Sequence, residues 1–218
     1  MSLPHVAHGE HLALEGSRRF GCIEVVCGSM FSGKTEELLR RVKRARLARQ
    51  HVVLFKPRVD NRYDDVKVVS HEGIKAEATA VASSAELLAF IDLARAPDVV
   101  GIDEIQFFDA GIVDAAERLA NAGTRVICAG LDQDYRGCPF GPMPTLMAVA
   151  EYVTKLHAVC SRCGAAACRS QRLIGREGQL FVGGAADYEP RCRRCFVAGA
   201  VDSSDEPPVR GAVTPGTF

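Results

Sequence analysis

Residues Gly28-Ser29-Met30-Phe31-Ser32-Gly33-Lys34-Thr35 have the spacing G-x-x-x-x-G-K-T. Glycines at both ends let the backbone curl so that its N–H groups point inward at phosphate oxygens. A helix beginning at the lysine adds its partial positive charge. Lys34 is then placed to reach the β- and γ-phosphates, and the Thr35 hydroxyl to ligate Mg²⁺. That chemistry requires a strand before the loop and a helix after it. Cys22 to Cys27 is a short β-rich run, and Glu36-Glu37-Leu38-Leu39-Arg40-Arg41-Val42 reads as a helix start. A Gly-rich turn outside such a setting would mean little. In it, the loop predicts binding of a nucleoside triphosphate.

Val99-Val100-Gly101-Ile102 is an apolar strand followed by two acids, Asp103 and Glu104. The strand-end aspartate is placed to hold Mg²⁺ opposite the Thr35 hydroxyl. Glu104 then lies at the carboxyl edge of the sheet, where open α/β folds bind their ligands. It can act as a general base, either on water, as in an ATPase, or on a substrate hydroxyl, as in a kinase. The spacing alone does not choose, and an exposed loop glutamate is the third reading.

Four of the nine cysteines stand as Cys160-x-x-Cys163 and Cys192-x-x-Cys195. Paired C-x-x-C turns present four thiolates tetrahedrally to one zinc ion. Disulfides are the competing explanation, and they belong to oxidising compartments, which a P-loop protein does not occupy. Cys22, Cys27 and Cys128 fall in apolar runs and read as small buried hydrophobes. Cys138 and Cys168 receive no chemistry.

Elements must position these groups. An apolar share of 47% with 25% charge is that of a globular chain with a full core. Equal numbers of acids and bases argue against nucleic acid as the main partner. Met1 to Ser17 does not read as a signal peptide, and no apolar run is long enough for a bilayer, so the expected location is cytoplasmic, without a membrane partner. Helices are expected at Lys34–Ala48, Leu87–Leu93, Ala110–Ala122 and Leu146–Ala150, with Ser83-Ser84-Ala85-Glu86 approximating a capping box. Strands are expected at His51–Phe55, Val66–Val69 (an edge strand), Asp98–Asp103, Arg125–Gly130 and Tyr152–Val159. This alternation implies an α/β fold, a parallel sheet with helices on its faces. The basic residues Arg40, Arg41, Lys43, Arg44, Arg46 and Arg49 read as a solvated helix face, or else as a subunit or anion contact. The expected division is an N-terminal tail at 1–20, an ATP-binding domain at 21–151, a zinc-binding domain at 152–200 and a disordered tail at 201–218.

The ordered set of motifs resembles the type II thymidine kinase family. It comprises the P-loop with Met30-Phe31-Ser32 inside it, Asp103-Glu104-Ile105-Gln106-Phe107-Phe108, Gly130-Leu131-Asp132-Gln133-Asp134-Tyr135-Arg136, Pro139-Phe140-Gly141 and the two C-x-x-C pairs. The similarity runs from about Gly21 to Phe196. It implies a P-loop, RecA-like sheet with a small C-terminal zinc-ribbon and lasso domain, and transfer of the γ-phosphoryl of ATP to the 5′-hydroxyl of thymidine. A P-loop ATPase stimulated by nucleic acid is the alternative. Glu104 corresponds to the catalytic base. Gly28, Ser29, Met30, Phe31, Ser32, Gly33, Lys34, Thr35, Asp103 and Gln106 correspond to ATP and Mg²⁺ contacts, as do Asp60 and Arg62. Met30, Phe107, Leu131, Tyr135, Phe140 and Ser170 correspond to the thymine pocket. The lasso that closes over the base corresponds to Gln179, Leu180, Phe181, Val182 and Gly183, running on to Tyr188. The resemblance also implies structural zinc, a homotetramer and feedback by thymidine triphosphate.

Three positions depart from the family's pattern. Ile105 replaces a small residue, Tyr135 a phenylalanine and Ser170 a threonine, so a stacking face and a hydroxyl are kept. Losing the metal is expected to free the lasso while sparing ATP binding, because the P-loop stands on a separate sheet.

Overall fold

Strands buried on both faces must be apolar throughout, and the runs around the P-loop meet that requirement. A computed structural model describes residues 20–58, 67–69, 75–173 and 187–198. Its main sheet uses β1 (Cys22–Gly28), β2 (Val52–Pro57), β5 (Thr79–Val81), β6 (Val99–Ile102), β7 (Arg125–Leu131) and β8 (Tyr152–Leu156). They lie in the order β5-β2-β6-β7-β1-β8, every pair parallel. The helices are α1 (Lys34–Leu47), α2 (Ser84–Ala89), α3 (Gly111–Asn121) and α4 (Met143–Val149).

Alternation along the strands splits the core in two. Ile23, Val25, Cys27, Phe55, Val100, Ile102, Val126 and Cys128 pack with residues of α2, α3 and α4. Val26, Leu54, Val99, Ile127 and Ala129 face the other way, onto Leu38, Leu39, Val42 and Ala45 of α1. Those four positions follow the helical period, which is why α1 forms where the pattern placed it. Glu36 and Glu37 in its first turn and Arg44 and Arg46 in its last suit the helix dipole. Ser83 caps α2 by accepting from Glu86 N at 3.1 Å, while Glu86 reaches back to Ala82 N at 2.6 Å. The capping box is thus shifted by one residue at its return bond, and α2 starts earlier than the apolar run suggested.

Two strand assignments change. Lys67–Val69 (β3) is not an edge of the main sheet. It pairs antiparallel with Lys75–Glu77 (β4) as a separate ribbon, and β5 takes the edge beside β2. A partner a few residues away closes a shorter loop than a return to the sheet. The stretch from Tyr152 to Val159 is divided at His157: β8 joins β1 in the main sheet, and β9 (Ala158–Val159) pairs antiparallel with β10 (Ala166–Ala167). The sheet therefore runs past residue 151, where the sequence reading ended the nucleotide-binding unit. A third small ribbon pairs β11 (Arg169–Arg172) with β12 (Tyr188–Arg191). The tails and the segment 174–186 lie outside the described residues.

One buried acid crosses these layers. Glu24, in the middle of β1 and only 4% exposed, accepts from Arg125 of β7 at 2.5 and 3.0 Å and from Arg41 of α1 at 2.6 Å. Arg41 also donates to Thr154 of β8 at 3.0 Å and to Glu37 at 2.8 Å. Burial pushes the Glu24 carboxyl up, but the two arginines more than offset this and hold it below the usual range. Arg41 is thus a structural member of a helix face that otherwise stands in solvent. Removing the acid leaves two guanidinium groups short of their partner. Glu24→Leu is expected to destabilise the fold by about 3–5 kcal/mol, read as a lower denaturant midpoint. A shift below about 1 kcal/mol would mean the triad contributes no more than a surface pair.

Candidate active site

The loop from β1 to α1 is shaped by backbone constraints at its two glycines. Gly28 has φ 151°, and a Cβ there would stand 2.4 Å from Leu156 O of β8. Gly33 has φ 82° and precedes α1 without any side-chain cap, so N–H groups of the first turn remain for an anion. Lys34, 8% exposed, folds into the loop and donates to Ser29 O at 2.7 Å, joined there by Ser32 Oγ at 2.8 Å. Burial pushes the Lys34 ammonium down in pKa, and Glu104, Asp103 and Asp132 oppose that shift. A lysine so placed gains most from a phosphate.

Asp103 and Glu104 follow β6. Thr35 Oγ1 donates to Asp103 Oδ2 at 3.1 Å, which brings together the two side chains expected to share a cation. Burial, followed by the neighbouring Glu104 carboxylate, pushes the Asp103 carboxyl up to about 7. Glu104 adopts a left-handed conformation, φ 50°, at the start of a 3₁₀ turn over Ile105–Phe107. Gln106 is buried beside this pair. Its amide donates to Glu104 Oε2 at 2.5 Å and accepts from Leu131 N at 3.0 Å. Ile105 enters the core beneath α3 and α4, which explains an apolar residue in that place.

Positions matched to a thymine pocket form two local contacts. Phe107 and Phe140 meet edge to face at 5.6 Å. Tyr135 lies under the guanidinium of Arg172, 3.7 Å from its ring centroid, and Arg172 also donates to the Tyr188 hydroxyl at 2.9 Å. Arg172 is 2% exposed and was not anticipated from sequence. The run R-S-Q-R of β11 carries no signal of it, since only the structure shows three consecutive polar residues (Ser170, Gln171, Arg172) buried there. Asp60, Arg62 and Gln179–Gly183 lie outside the described residues.

The four cysteines converge, with all Sγ atoms of Cys160, Cys163, Cys192 and Cys195 within 4.8 Å of one another, a set able to hold a metal ion. Burial disfavours the Cys160 thiolate, but N–H groups of Cys192, Arg162 and Cys163 outweigh it and hold the thiol down at about 6. Cys195 is pushed up to about 12, first by burial and then by the neighbouring thiols. A dication would relieve that crowding of negative charge.

This cluster is not separate from the P-loop. Ser29 Oγ donates to Ala167 O at 3.3 Å, and Ser170 Oγ accepts from Met30 N at 3.0 Å. Phe31 packs against Ala158, Cys160, Ala167 and Cys192, held there at φ 62°, a conformation unusual outside glycine. The hydroxyl kept at Ser170 is therefore a brace on the phosphate loop.

A parallel sheet, an uncapped helix behind a glycine-bounded loop, and a strand-end aspartate facing its threonine are the features of a P-loop fold. Residues 21–196 match the family model described as "Thymidine kinase". The chain is 58% identical over 187 residues to "Thymidine kinase" of Rhodothermus sp. (strain ITI 518), covering 86% of each chain. It is 53% identical over 183 residues to "Thymidine kinase" of Bacteroides fragilis, covering 84% of this chain and 90% of that one. The protein belongs to the thymidine kinase family.

Two outcomes follow. A carboxyl whose pKa rises on folding keeps a proton that the unfolded chain has released, so ligand-free stability falls as pH climbs from about 4 toward 7. Asp103→Asn should raise the melting temperature of the nucleotide-free, Mg²⁺-free protein. The gain should be full above pH 7 and vanish toward about pH 4; a gain that grew on acidification would contradict the burial. Secondly, stripping metal from the cysteine cluster with a chelator should weaken binding of a non-hydrolysable ATP analogue, because Ser29, Met30 and Phe31 lose their seat. Unchanged analogue affinity in calorimetry would support the independence first expected of the two halves.

Proposed function

We propose that the protein transfers the γ-phosphoryl of ATP to the 5′-hydroxyl of thymidine, giving thymidine monophosphate in nucleotide salvage, with deoxyuridine as a second acceptor. Family membership sets the reaction, and the single observation that carries the residue roles is the Glu104 carboxylate following Asp103, which faces Thr35. In this reading the loop from Gly28 to Thr35 binds the triphosphate through its N–H groups, and Lys34 leaves Ser29 O for the β- and γ-phosphates. Mg²⁺ held between Thr35 and Asp103 would neutralise charge on the phosphates. Glu104 orients the 5′-hydroxyl and takes its proton as the oxygen–phosphorus bond forms. The transition state is loose, so alignment and charge complementarity supply most of the acceleration.

Met30, Phe107, Leu131, Tyr135, Phe140, Ser170 and Tyr188 line the base in this proposal, and Gln179–Gly183 close over it. Asp60 and Arg62 contact the nucleotide. Those last two assignments rest on the family resemblance, as do a homotetramer and feedback by thymidine triphosphate. Zinc is the proposed metal, since four thiolates fill a tetrahedral shell and leave no position for water. Such a site is structural, and its thiols suit the reducing cytoplasm.

Incubation with ATP, Mg²⁺ and thymidine, deoxyuridine or deoxycytidine should yield monophosphate from the first two and little from the third. ADP release that needs no nucleoside would instead mark an ATPase. Glu104→Gln should lower turnover by about 10²–10⁴-fold with ATP affinity kept. Near-normal kcat in that variant would remove Glu104 from the chemistry.

A further inference from the structure

We propose that Gln106 is a positioning residue that aims the Glu104 carboxylate and ties it to the acceptor end of β7, an inference that rests on the role proposed for Glu104. The residue is 2% exposed, and its side chain bridges two elements: Nε2 donates to Glu104 Oε2, and Oε1 accepts from Leu131 N. The orientation of this amide is dictated by its partners. A backbone N–H can only donate, so oxygen must face Leu131 and the NH₂ group must face the carboxylate.

The surroundings are cut to fit this side chain. At Gly130 a Cβ would stand 2.5 Å from Gln106 Oε1, and at Gly141 (φ 49°) a Cβ would stand 2.3 Å from Gln106 O. Both glycines give the glutamine room, one at its head and one at its backbone. Glu104 sits in a left-handed turn, and its carboxylate takes a hydrogen bond from the Gln106 amide. Holding Oε2 through Gln106 leaves Oε1 for the acceptor hydroxyl. The other end of the bridge is Leu131 N, at the wall proposed to line the base. Base position and carboxylate position are thereby referred to one strand end.

Two substitutions separate the two ends of the bridge. Gln106→Met keeps length and loses both bonds, whereas Gln106→Glu keeps the acceptor for Leu131 N and places a second carboxylate against Glu104. Each should lower kcat roughly 10–100-fold, the scale of a misplacement of about 1 Å, with KM for ATP and for thymidine changed less than about threefold. In a Glu104→Gln background the same changes should lower kcat by less than about twofold more, since the group they act through is gone. Equal losses in both backgrounds would make Gln106 a structural residue only, and unchanged kcat in both substitutions would remove it from the reaction. Should Gln106→Met fail to fold, Gln106→Glu retains the β7 anchor and gives the same comparison. Near-normal turnover of Glu104→Gln alone would overturn the base itself and this role with it, a result distinct from failure of Gln106.

Discussion

Lys34, Asp103 and Glu104 share one poorly hydrated edge of a parallel sheet, and much of the molecule is arranged to keep those charges there. Unpaired ions in such a place are disfavoured, and each is held by fixed dipoles or opposite charge. Lys34 is held by Ser29 O, Asp103 by Thr35 and the Glu104 N–H, and Glu104 by the amide of Gln106. Lys155 of β8 sits 2.5 Å from Asp132, a further acid at this edge, and keeps it paired. The sheet itself repeats the solution one layer down, where Glu24 is matched by two arginines.

Legibility in the sequence tracked separation along the chain. The P-loop, its strand and α1 are local features, with glycines, lysine and the apolar spacing of Leu38, Val42 and Ala45 all within one window, and they were read without loss. Asp103 and Glu104 were legible because a strand end can be found from its apolar run. The split at His157 was not, since periodicity does not say which sheet a strand will join. Likewise β3 carries a strand pattern that fits an edge or a local ribbon equally well. The bonds from Ser29 and Met30 to Ala167 and Ser170 span 138 and 140 residues, and no pattern of residue types encodes such a pairing. Arg172 and Glu24 share that character: buried charges whose partners come from elsewhere in the chain.

Those long-range bonds alter how the two halves relate. A cysteine-rich ribbon read as the anchor of a substrate lid also touches three successive residues of the phosphate loop. The loop is therefore bounded on one side by α1 and on the other by the cysteine cluster, and Phe31 bridges toward the latter in a strained conformation that its packing must sustain. The sites proposed for donor and acceptor would then share a wall, consistent with a reaction in which alignment matters more than strong base chemistry.

The two faces of the sheet are unequally protected. Three helices cover one, while among the described helices α1 alone contributes to the cluster on the other. The helix that offers its first turn to phosphate is also the roof of that thinner side. Any excursion that lifts α1 exposes Val26, Leu54 and Ile127 and dismantles the anion cradle in the same motion. A nucleotide bound in the cradle would therefore stabilise the closed roof as well. Amide exchange across α1, β1 and β7 would slow together as nucleotide rises, while α3 on the opposite face would keep its own rate.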